Sequence, residues 1–451
     1  MKNEVMLKVG FARVNINPPM GIFVSGYFKD RFADGILDNL EVNALAVNMG
    51  TTTQLLINAD LGGIKQDVST TFREMVSKAT SVPMDNIILS CTHTHTGPEV
   101  NRPEKSELVL EYREFLGKRI KDAATFAIAD LKVAKMGYGV GKAENVAFVR
   151  RFIMKDGSTK TNPGVNNPDI VRPVGVIDDS VNIIRFDREG ADTIVFVNFA
   201  NHPDVVGGCK ISGDWPALLR RNVEKILDNT KCIFFNGAQG DINHVNVHPK
   251  GGDLNGMFID FDDVARGYSH AEHIARVVTG GVLQVFDKVN YTSVESMAGK
   301  LVTINVPSNK PTPEQLPEAH RINDLHLAGK DSELPYDGMM LTTVVAEAGR
   351  MVRLENAPDA FDMTLSGFRL GPIALIGIPG EPFNAIGRGL KETEGYELII
   401  PCCITNGNEG YFPMQDSYDE GGYEARSSNF KAGVGEYIIQ EGKKLLKSLN
   451  H

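Results

Sequence analysis

The sequence predicts an α/β protein in which mixed β-sheets are flanked by helices. Short apolar runs alternate with segments of helical periodicity along nearly the whole chain, which is typical of a mixed architecture. The hydrophobic fraction of 42% and the charged fraction of 23% are those of a folded, soluble protein. A chain of 451 residues exceeds one ordinary hydrophobic core, so we expect one large domain or two closely joined domains.

The individual elements follow from the spacing of apolar residues. Short apolar runs that look like buried strands lie at 43–49, 53–60, 86–90, 182–187, 193–199, 232–236, 374–378 and 397–401. Segments with the period of an amphipathic helix lie at 104–131, 216–227, 312–328, 339–354 and 429–448. Pro216 is expected to be the first helical residue of its segment, because that position needs no N–H donor. The proline-containing stretch 306–318 is the predicted linker.

Composition and charge exclude several classes of partner. Aspartate and glutamate number 57 against 47 lysines and arginines, and the net charge of -10 argues against a nucleic-acid ligand. No apolar stretch reaches the roughly 20 residues that span a bilayer, so no integral membrane segment is expected. The N-terminus lacks the apolar core of a signal peptide, which favours a cytoplasmic protein unless such a peptide has been removed.

Two further features are assigned structural roles. The five cysteines are scattered, odd in number and without a CxxC pair, so we expect buried thiols rather than disulfides or zinc ligands. Residues 251–263 are rich in glycine and aspartate and are predicted to be a surface insertion. A calcium loop is the alternative there, although the aspartate spacing does not match the EF-hand pattern.

Four predicted strands end in unusually polar sequences. They are IILSCTHTHTGPE, VFVNFANHPDVVGG, IFFNGAQGDINH and ALIGIPGEPFN. Because ligands bind at the carboxyl ends of strands in open α/β sheets, these tips are expected to share one cleft. His93 and His95 would project to the same side of an extended segment. Together with His202 and the carboxylate of Glu381, they make the mixed nitrogen and oxygen set that zinc favours.

The His-x-His pair is also compatible with a purely structural role and occurs in two further metal folds. Both imidazoles could hydrogen-bond to loops near the Gly97-Pro98 turn. Metallo-β-lactamase-like enzymes continue this pair with Asp-His, whereas TGPE (96–99) follows here. Amidohydrolase barrels carry the pair near their first strand, whereas at least two predicted strands precede it here. Neither of these metal folds fits the sequence well.

Five sequence blocks occur in the order of the signature blocks of a known family. They are THTHTGPE (92–99), NHPDVVG (201–207) with SGDWP (212–216), GAQGDINH (237–244), IPGEPF (378–383) and GYFPMQDSYDEGGYE (410–424). In these blocks the chain resembles the N-terminal catalytic domain of the neutral/alkaline non-lysosomal ceramidases, from about residue 8 to residue 435. The resemblance implies the fold of that domain over 1–451 as a single unit. It also implies a zinc-dependent amidase, since the family cleaves the N-acyl bond of ceramide.

Carried over residue by residue, the resemblance also implies roles for individual side chains. The implied zinc ligands are His93, His202, Glu381 and Tyr411. The implied catalytic neighbours are His95, Arg150 and Tyr423. His95 would contact the substrate or the metal-activated water. Arg151 is an alternative to Arg150 for the arginine near the scissile amide, because the two are adjacent in the block FVRRF.

Two departures from the family pattern bear on the reaction. Asn243 stands where the family has a serine that is proposed as a nucleophile or water-positioning group. The amide of Asn243 could still orient a water, so this residue stays among the predicted catalytic groups. The chain ends soon after its last predicted helix, and the C-terminal β-sandwich domain of the family is expected to be absent.

The predicted function is therefore a zinc-dependent hydrolase that cleaves an amide (N-acyl) bond of a small polar substrate with metal-activated water. An esterase or deacylase on the same metal site is an alternative, because only the leaving group differs. A non-catalytic binding protein that retained the cleft is another, although a decayed site would be expected to lose a histidine or Glu381. The predicted partner is a small molecule, and the oligomeric state stays open.

Overall fold

Two β-sheets packed face to face form the centre of the protein. The computed structural model describes residues 6–249 and 267–450. Helices cover the outer face of each sheet, so the order of layers is helices, large sheet, small sheet, helices. This arrangement confirms the predicted α/β class with mixed sheets flanked by helices. The predicted surface insertion at 251–263 lies outside the described residues.

The large sheet has nine strands and is mostly antiparallel, with a parallel pair at each end. From one edge to the other, its strands are Thr230–Asn236, Thr193–Phe199, Ser180–Arg188, Lys132–Lys142, Leu7–Asn15, Glu41–Met49, Thr52–Ala59 and Ile87–Cys91. The ninth strand, Asn290–Thr292, pairs beside Lys132–Lys142. Both parallel pairs end at the same region of the molecule, where the polar tips predicted from the sequence begin.

The small sheet has four strands and faces the large sheet across an apolar layer. Its strands are, in sheet order, Met297–Pro307, Ala360–Leu370, Ile373–Gly377 and Leu398–Cys402. Side chains alternate between the two faces of each strand. Leu56 therefore points toward the small sheet, while its neighbours Leu55 and Ile57 point toward the helices. Burial of both faces explains why the strands Ile373–Gly377 and Leu398–Cys402 are nearly continuous apolar runs in the sequence.

Ten α-helices lie in the described residues. They are Gln66–Thr80, Glu107–Ala129, Asp214–Ile226, Tyr268–Phe286, Leu316–Leu327, Gly338–Leu354, Asn384–Lys391, Asp416–Glu420, Tyr423–Ser427 and Val434–Ser448. Short 3-10 turns lie at Met84–Asn86, Pro103–Lys105 and Asp331–Glu333. The first four helices cover the large sheet, and Asn384–Lys391 and Val434–Ser448 cover the small sheet. No helix in the described part of the chain is long and apolar enough to cross a membrane.

Short β-ribbons complete the fold around the polar strand tips. They pair Phe23–Val24 with Arg31–Phe32, Gly35–Ile36 with Lys210–Ile211, Phe148–Val149 with Ile242–Asn243, and Glu381–Pro382 with Tyr411–Phe412. A three-stranded ribbon has Arg151–Met154 between Thr159–Thr161 and Ile170–Pro173. These ribbons tie loops from distant parts of the chain to one another at one end of the sandwich.

In the sequence, a pair of helices is inserted between two strands that are neighbours in the small sheet. Pro307 pairs with Ala360, so the chain leaves and re-enters the sheet at the same end of these two strands. The helices Leu316–Leu327 and Gly338–Leu354 lie between these points and bury a small apolar cluster of their own. The predicted linker 306–318 is thus the entry into this helical insertion. Its first residues still belong to the strand Met297–Pro307.

All eight predicted strands and all five predicted helices are present, with ends that shift by a few residues. The helix around Pro216 begins at Asp214, so the proline lies in the first turn but is not its first residue. All five cysteines are free, and four of them are buried while Cys209 is half-buried. The expectation of buried thiols without disulfides is therefore confirmed for all but Cys209, whose thiol is not fully enclosed.

Several elements in the centre of the fold were not predicted, including the strands Leu7–Asn15 and Lys132–Lys142. Both contain glycines, which usually indicate turns in a sequence. Here the glycines let helices approach the sheet closely. A Cβ atom on Gly10 would lie 2.0 Å from the carbonyl oxygen of Ala127, and one on Gly141 would lie equally close to that of Gly281. Close helix packing rather than a turn explains these glycines.

We predict that Phe368→Ala lowers the free energy of unfolding by about 3 to 5 kcal/mol, because it opens a cavity between the two sheets. Phe368 is fully buried there, whereas Phe126 on an outer helix is 54% exposed. Phe126→Ala is the matched control and should change stability by about 0.5 kcal/mol or less. Chemical denaturation of both variants measures the difference. Equal effects would contradict the layered core described above.

Candidate metal centre

The four polar strand tips meet at one point, as the sequence predicted. Asn236, the last residue of its strand, donates from its side-chain amide to the carbonyl oxygens of Thr92 and Asn201 at 3.3 and 3.0 Å. The Gly240 amide donates to the carbonyl oxygen of Pro382 at 2.8 Å. These hydrogen bonds join all four tips. The side chains that follow the strands are thereby held against one another.

His93 reaches the site through an unusual backbone conformation. The strand ends at Cys91, and His93 has a φ of +73°, in the left-handed region that non-glycine residues rarely adopt. The segment is therefore not extended at this point. The prediction that His93 and His95 lie on one side of an extended segment is wrong in its reason. Both rings still face the same cluster, because the backbone turns between them. Such strained residues persist where the surrounding structure holds them, often at functional sites.

Three imidazoles and one carboxylate form the centre of the site. The nearest ring nitrogens of His93, His95 and His202 lie within 4.8 Å of one another. The Nε2 atoms of His93 and His202 are each 3.3 Å from Oε2 of Glu381. The Nε2 atoms of His93 and His95 are 3.4 Å apart. Three of the four ligands implied by the sequence resemblance therefore converge, with His95 beside them.

Hydrogen bonds fix which ring nitrogen faces the cluster. The Nδ1 atom of His93 donates to the carbonyl oxygen of Gly62 at 2.5 Å. The Nδ1 atom of His202 lies 3.2 Å from the carbonyl oxygens of both Gln239 and Ile242. A carbonyl can only accept, so each Nδ1 carries the hydrogen and each Nε2 presents a lone pair in the neutral ring. This is the arrangement typical of metal-binding histidines.

The donor set fits a cation. In the described residues, the buried atoms Nε2 of His202 and Oε2 of Glu381 have no hydrogen-bond partner, although they lie 3.3 Å apart. Such groups are costly to bury without a partner. Burial raises the pKa of Glu381, but His93 and His202 outweigh it, and the net pKa lies well below the usual value. An ionised carboxylate and two imidazole lone pairs therefore converge, as zinc prefers.

Tyr411 and Glu381 are brought together by a short parallel ribbon. The two residues are direct partners in the pairing of Glu381–Pro382 with Tyr411–Phe412. The ring of Tyr411 packs edge-on against that of Tyr423 at 5.5 Å. Burial raises the pKa of the Tyr411 hydroxyl, Glu381 adds to this, and Arg150 only partly opposes it. The structure thus places both predicted tyrosines at the histidine cluster.

Arg150, and not Arg151, faces the cluster. The guanidinium of Arg150 lies 5.4 Å from the ring centre of Tyr411 and borders the same cavity as His95 and His202. Arg151 turns the other way, where it binds Glu420 at 3.0 Å. Alternation along this short stretch of extended backbone separates the two adjacent side chains.

A buried glutamate that the sequence analysis did not single out holds Arg150 in place. Glu424 is fully buried and accepts from Nε of Arg150 at 2.6 Å and from the hydroxyl of Thr161 at 2.8 Å. Nη2 of Arg150 also donates to the carbonyl oxygen of Gly240 at 2.7 Å. Glu424 directly follows Tyr423 in the sequence, but nothing in the local pattern indicates that it pairs with a residue 274 positions away.

Asn243 occupies a different position from the other predicted site residues. Its amide donates to the side chain of Asn162 at 2.9 Å, and its side-chain oxygen accepts from the backbone of Val245 at 3.0 Å. Asn162, rather than Asn243, borders the large cavity at the site. Asn243 therefore lies behind the cavity wall, where both ends of its amide are engaged.

His95 has its own acidic neighbour. Its Nδ1 atom lies 3.5 Å from the carboxylate of Asp204, which accepts from the hydroxyl of Tyr27 at 2.5 Å. The loop that carries Asp204 is held by Asp214, whose carboxylate accepts from the backbone N–H groups of Val205 and Val206 at 2.9 Å. Asp204 and Asp214 belong to the sequence blocks quoted above, yet their contacts require the folded loop.

Comparison with solved structures identifies the fold. The chain matches the crystal structure of neutral ceramidase from Pseudomonas aeruginosa with a TM-score of 0.71 and 17% identity, over 98% of this chain and 75% of that chain. It matches a ceramidase complexed with C2 with a TM-score of 0.70 and 18% identity, over 98% and 74% of the two chains. The chain has a ceramidase-like fold. No protein-family model and no curated protein matches the sequence.

We predict that Glu424→Gln lowers the free energy of unfolding by about 3 kcal/mol, because it removes the carboxylate that is hydrogen-bonded to the buried guanidinium of Arg150. Glu420→Gln is the matched control, since Glu420 pairs with the neighbouring Arg151 but is 28% exposed. That control should cost about 1 kcal/mol or less. Thermal and chemical denaturation measure both effects, and a larger cost for Glu420→Gln would contradict the assignment.

Proposed function

We propose that this protein is a zinc-dependent hydrolase that cleaves an amide (N-acyl) bond. The observation that carries the proposal is that the Nε2 atoms of His93 and His202 both lie 3.3 Å from Oε2 of Glu381. In the described residues, neither Nε2 of His202 nor this oxygen has a hydrogen-bond partner. A hydrolytic metal site needs such a set at the border of a cavity. The ceramidase-like fold agrees with an amide substrate, because the two structural neighbours are described as ceramidases.

In this proposal, His93, His202, Glu381 and Tyr411 hold the zinc. Zinc in such a site acts as a Lewis acid and makes a water molecule a better nucleophile near neutral pH. The backbone carbonyls behind the two histidines keep each ring in the tautomer that can bind the metal.

Arg150, Tyr423 and His95 supply the remaining chemistry. As a water adds to the amide carbon, negative charge develops on the carbonyl oxygen. The guanidinium of Arg150 and the hydroxyl of Tyr423 border the cavity and can donate hydrogen bonds to that charge. His95 borders the same cavity, and burial lowers its pKa to about 3 despite the Asp204 carboxylate 3.5 Å from its Nδ1. The ring is therefore neutral and can accept a proton as the water adds, before it passes that proton to the leaving nitrogen.

We predict that the purified protein binds about one zinc ion per chain. His93→Ala and His202→Ala should each remove most of the metal, because each deletes a ligand from a small set. His95→Ala should retain the metal and lose turnover. His320→Ala is the control, since His320 lies at the surface in a pair with Glu355. Elemental analysis measures the metal, and equal metal loss in His95→Ala would make His95 a ligand.

We also predict that the protein hydrolyses compact amides and is nearly inactive on long-chain ceramide. The main cavity at the site has a volume of about 460 Å³, which suits a compact ligand. The assay measures release of primary amine from N-acetyl and N-butyryl amides, and of fatty acid from ceramide. A chelator should abolish the activity and added zinc should restore it. Efficient ceramide cleavage would contradict this size limit.

A further inference from the structure

Two neighbouring cavities meet at the histidine cluster. The larger has a volume of about 460 Å³ and the smaller about 240 Å³. His95, Tyr411 and Tyr423 border both cavities. His202 borders only the larger cavity, whereas His93 and Glu381 border only the smaller one. The proposed zinc site therefore lies between two compartments and is not at the end of one.

The large cavity has an apolar wall that the helical insertion supplies. Met339, Leu341 and Val345 of the helix Gly338–Leu354 border it. The insertion is fixed to the rest of the fold, because Nε of Arg350 donates to the carbonyl oxygen of Arg426 at 2.8 Å. An apolar group of a substrate would be stabilised here by removal from water.

Among the described residues, those that border the small cavity include no aliphatic side chain. Its border includes the polar residues Ser25, Glu99, Asn101 and Asn408. Glu99 is largely buried and pairs with Arg102 at 2.8 Å. These groups suit a compact ligand that forms hydrogen bonds rather than an apolar chain.

We propose that the two cavities separate the two halves of the substrate, with the acyl group in the large cavity and a small polar amine in the small cavity. This inference rests on the proposed amide hydrolysis. Arg150 borders only the large cavity, so the carbonyl oxygen that it would stabilise belongs on that side. A small polar amine suits the polar residues that border the small cavity, such as Ser25, Asn101 and Asn408.

The chemistry of the reaction agrees with this orientation. Hydrolysis adds the hydroxyl of water to the acyl carbon, breaks the carbon–nitrogen bond and transfers the remaining proton to nitrogen. The products are a carboxylic acid and an amine. The scissile bond must therefore lie at the boundary between the two cavities, where His95, Tyr411 and Tyr423 border both.

The test uses hydroxamates that extend in one direction only. Acetohydroxamate is the parent probe, hexanohydroxamate extends the acyl side, and N-(2-hydroxyethyl)acetohydroxamate extends the nitrogen side. Thr342→Trp should narrow the large cavity, and Asn408→Trp should narrow the small one, since each residue borders only that cavity. Calorimetry on the zinc-loaded proteins gives the dissociation constants. Asn408→Leu removes the amide without filling the space. It therefore tests the small cavity independently if the tryptophan variant fails to fold.

We expect Thr342→Trp to raise the dissociation constant of hexanohydroxamate about 10-fold and to change that of the nitrogen-side probe by no more than about twofold. Asn408→Trp should weaken binding of the nitrogen-side probe and leave binding of hexanohydroxamate unchanged. Asn408→Leu should weaken binding of the nitrogen-side probe alone. Equal weakening of both probes by either tryptophan variant, or the opposite pattern, would overturn the assignment of the two cavities. Failure of acetohydroxamate to bind the wild-type protein would instead reject the metal site itself, and this inference with it.

Discussion

The buried contact of two imidazole lone pairs with the carboxylate of Glu381 is the constraint on which the site depends. Such atoms repel one another unless a positive charge lies between them, and their burial would destabilise the fold without one. Burial lowers the pKa of His93, but Glu381 more than offsets this and the net pKa is raised, so the site attracts a positive charge. The surrounding structure holds the groups together nevertheless. Carbonyl oxygens fix the rings of His93 and His202, and a two-residue ribbon places Glu381 opposite Tyr411.

The layered sandwich explains how such a site can be rigid. Four strands from two sheets end at the same place. Asn236 links three of their tips through backbone carbonyls, and the Gly240–Pro382 hydrogen bond joins the fourth. Because each strand is buried on both faces, the positions of its last residues are set by the apolar layers behind them. Functional side chains on loops gain precision when the loops are short and leave rigid elements. The cost is visible in the left-handed backbone of His93.

In the proposed enzyme, the helical insertion would connect specificity to a part of the fold that does not hold the histidine cluster. It leaves and re-enters the small sheet at paired residues, so it can vary without moving the strands. Its side chains form the apolar wall of the large cavity, while the small cavity is built by loops of the sandwich itself. A substrate that fits both compartments would be positioned by two independent parts of the protein. Catalysis benefits from such positioning, because it fixes the scissile bond before reaction.

The sequence by itself determined the α/β class, the eight apolar strands and the residues that gather at their tips. These follow from local patterns, since buried strands are apolar and polar residues after them must serve a ligand or a turn. Only the tertiary structure decided that Arg150 rather than Arg151 faces the site and that Asn243 lies behind the wall. It also decided that Glu424 orients Arg150, across 274 residues of sequence. Such contacts depend on which strands become neighbours, and glycines such as Gly10 are explained only by the helix packed against them.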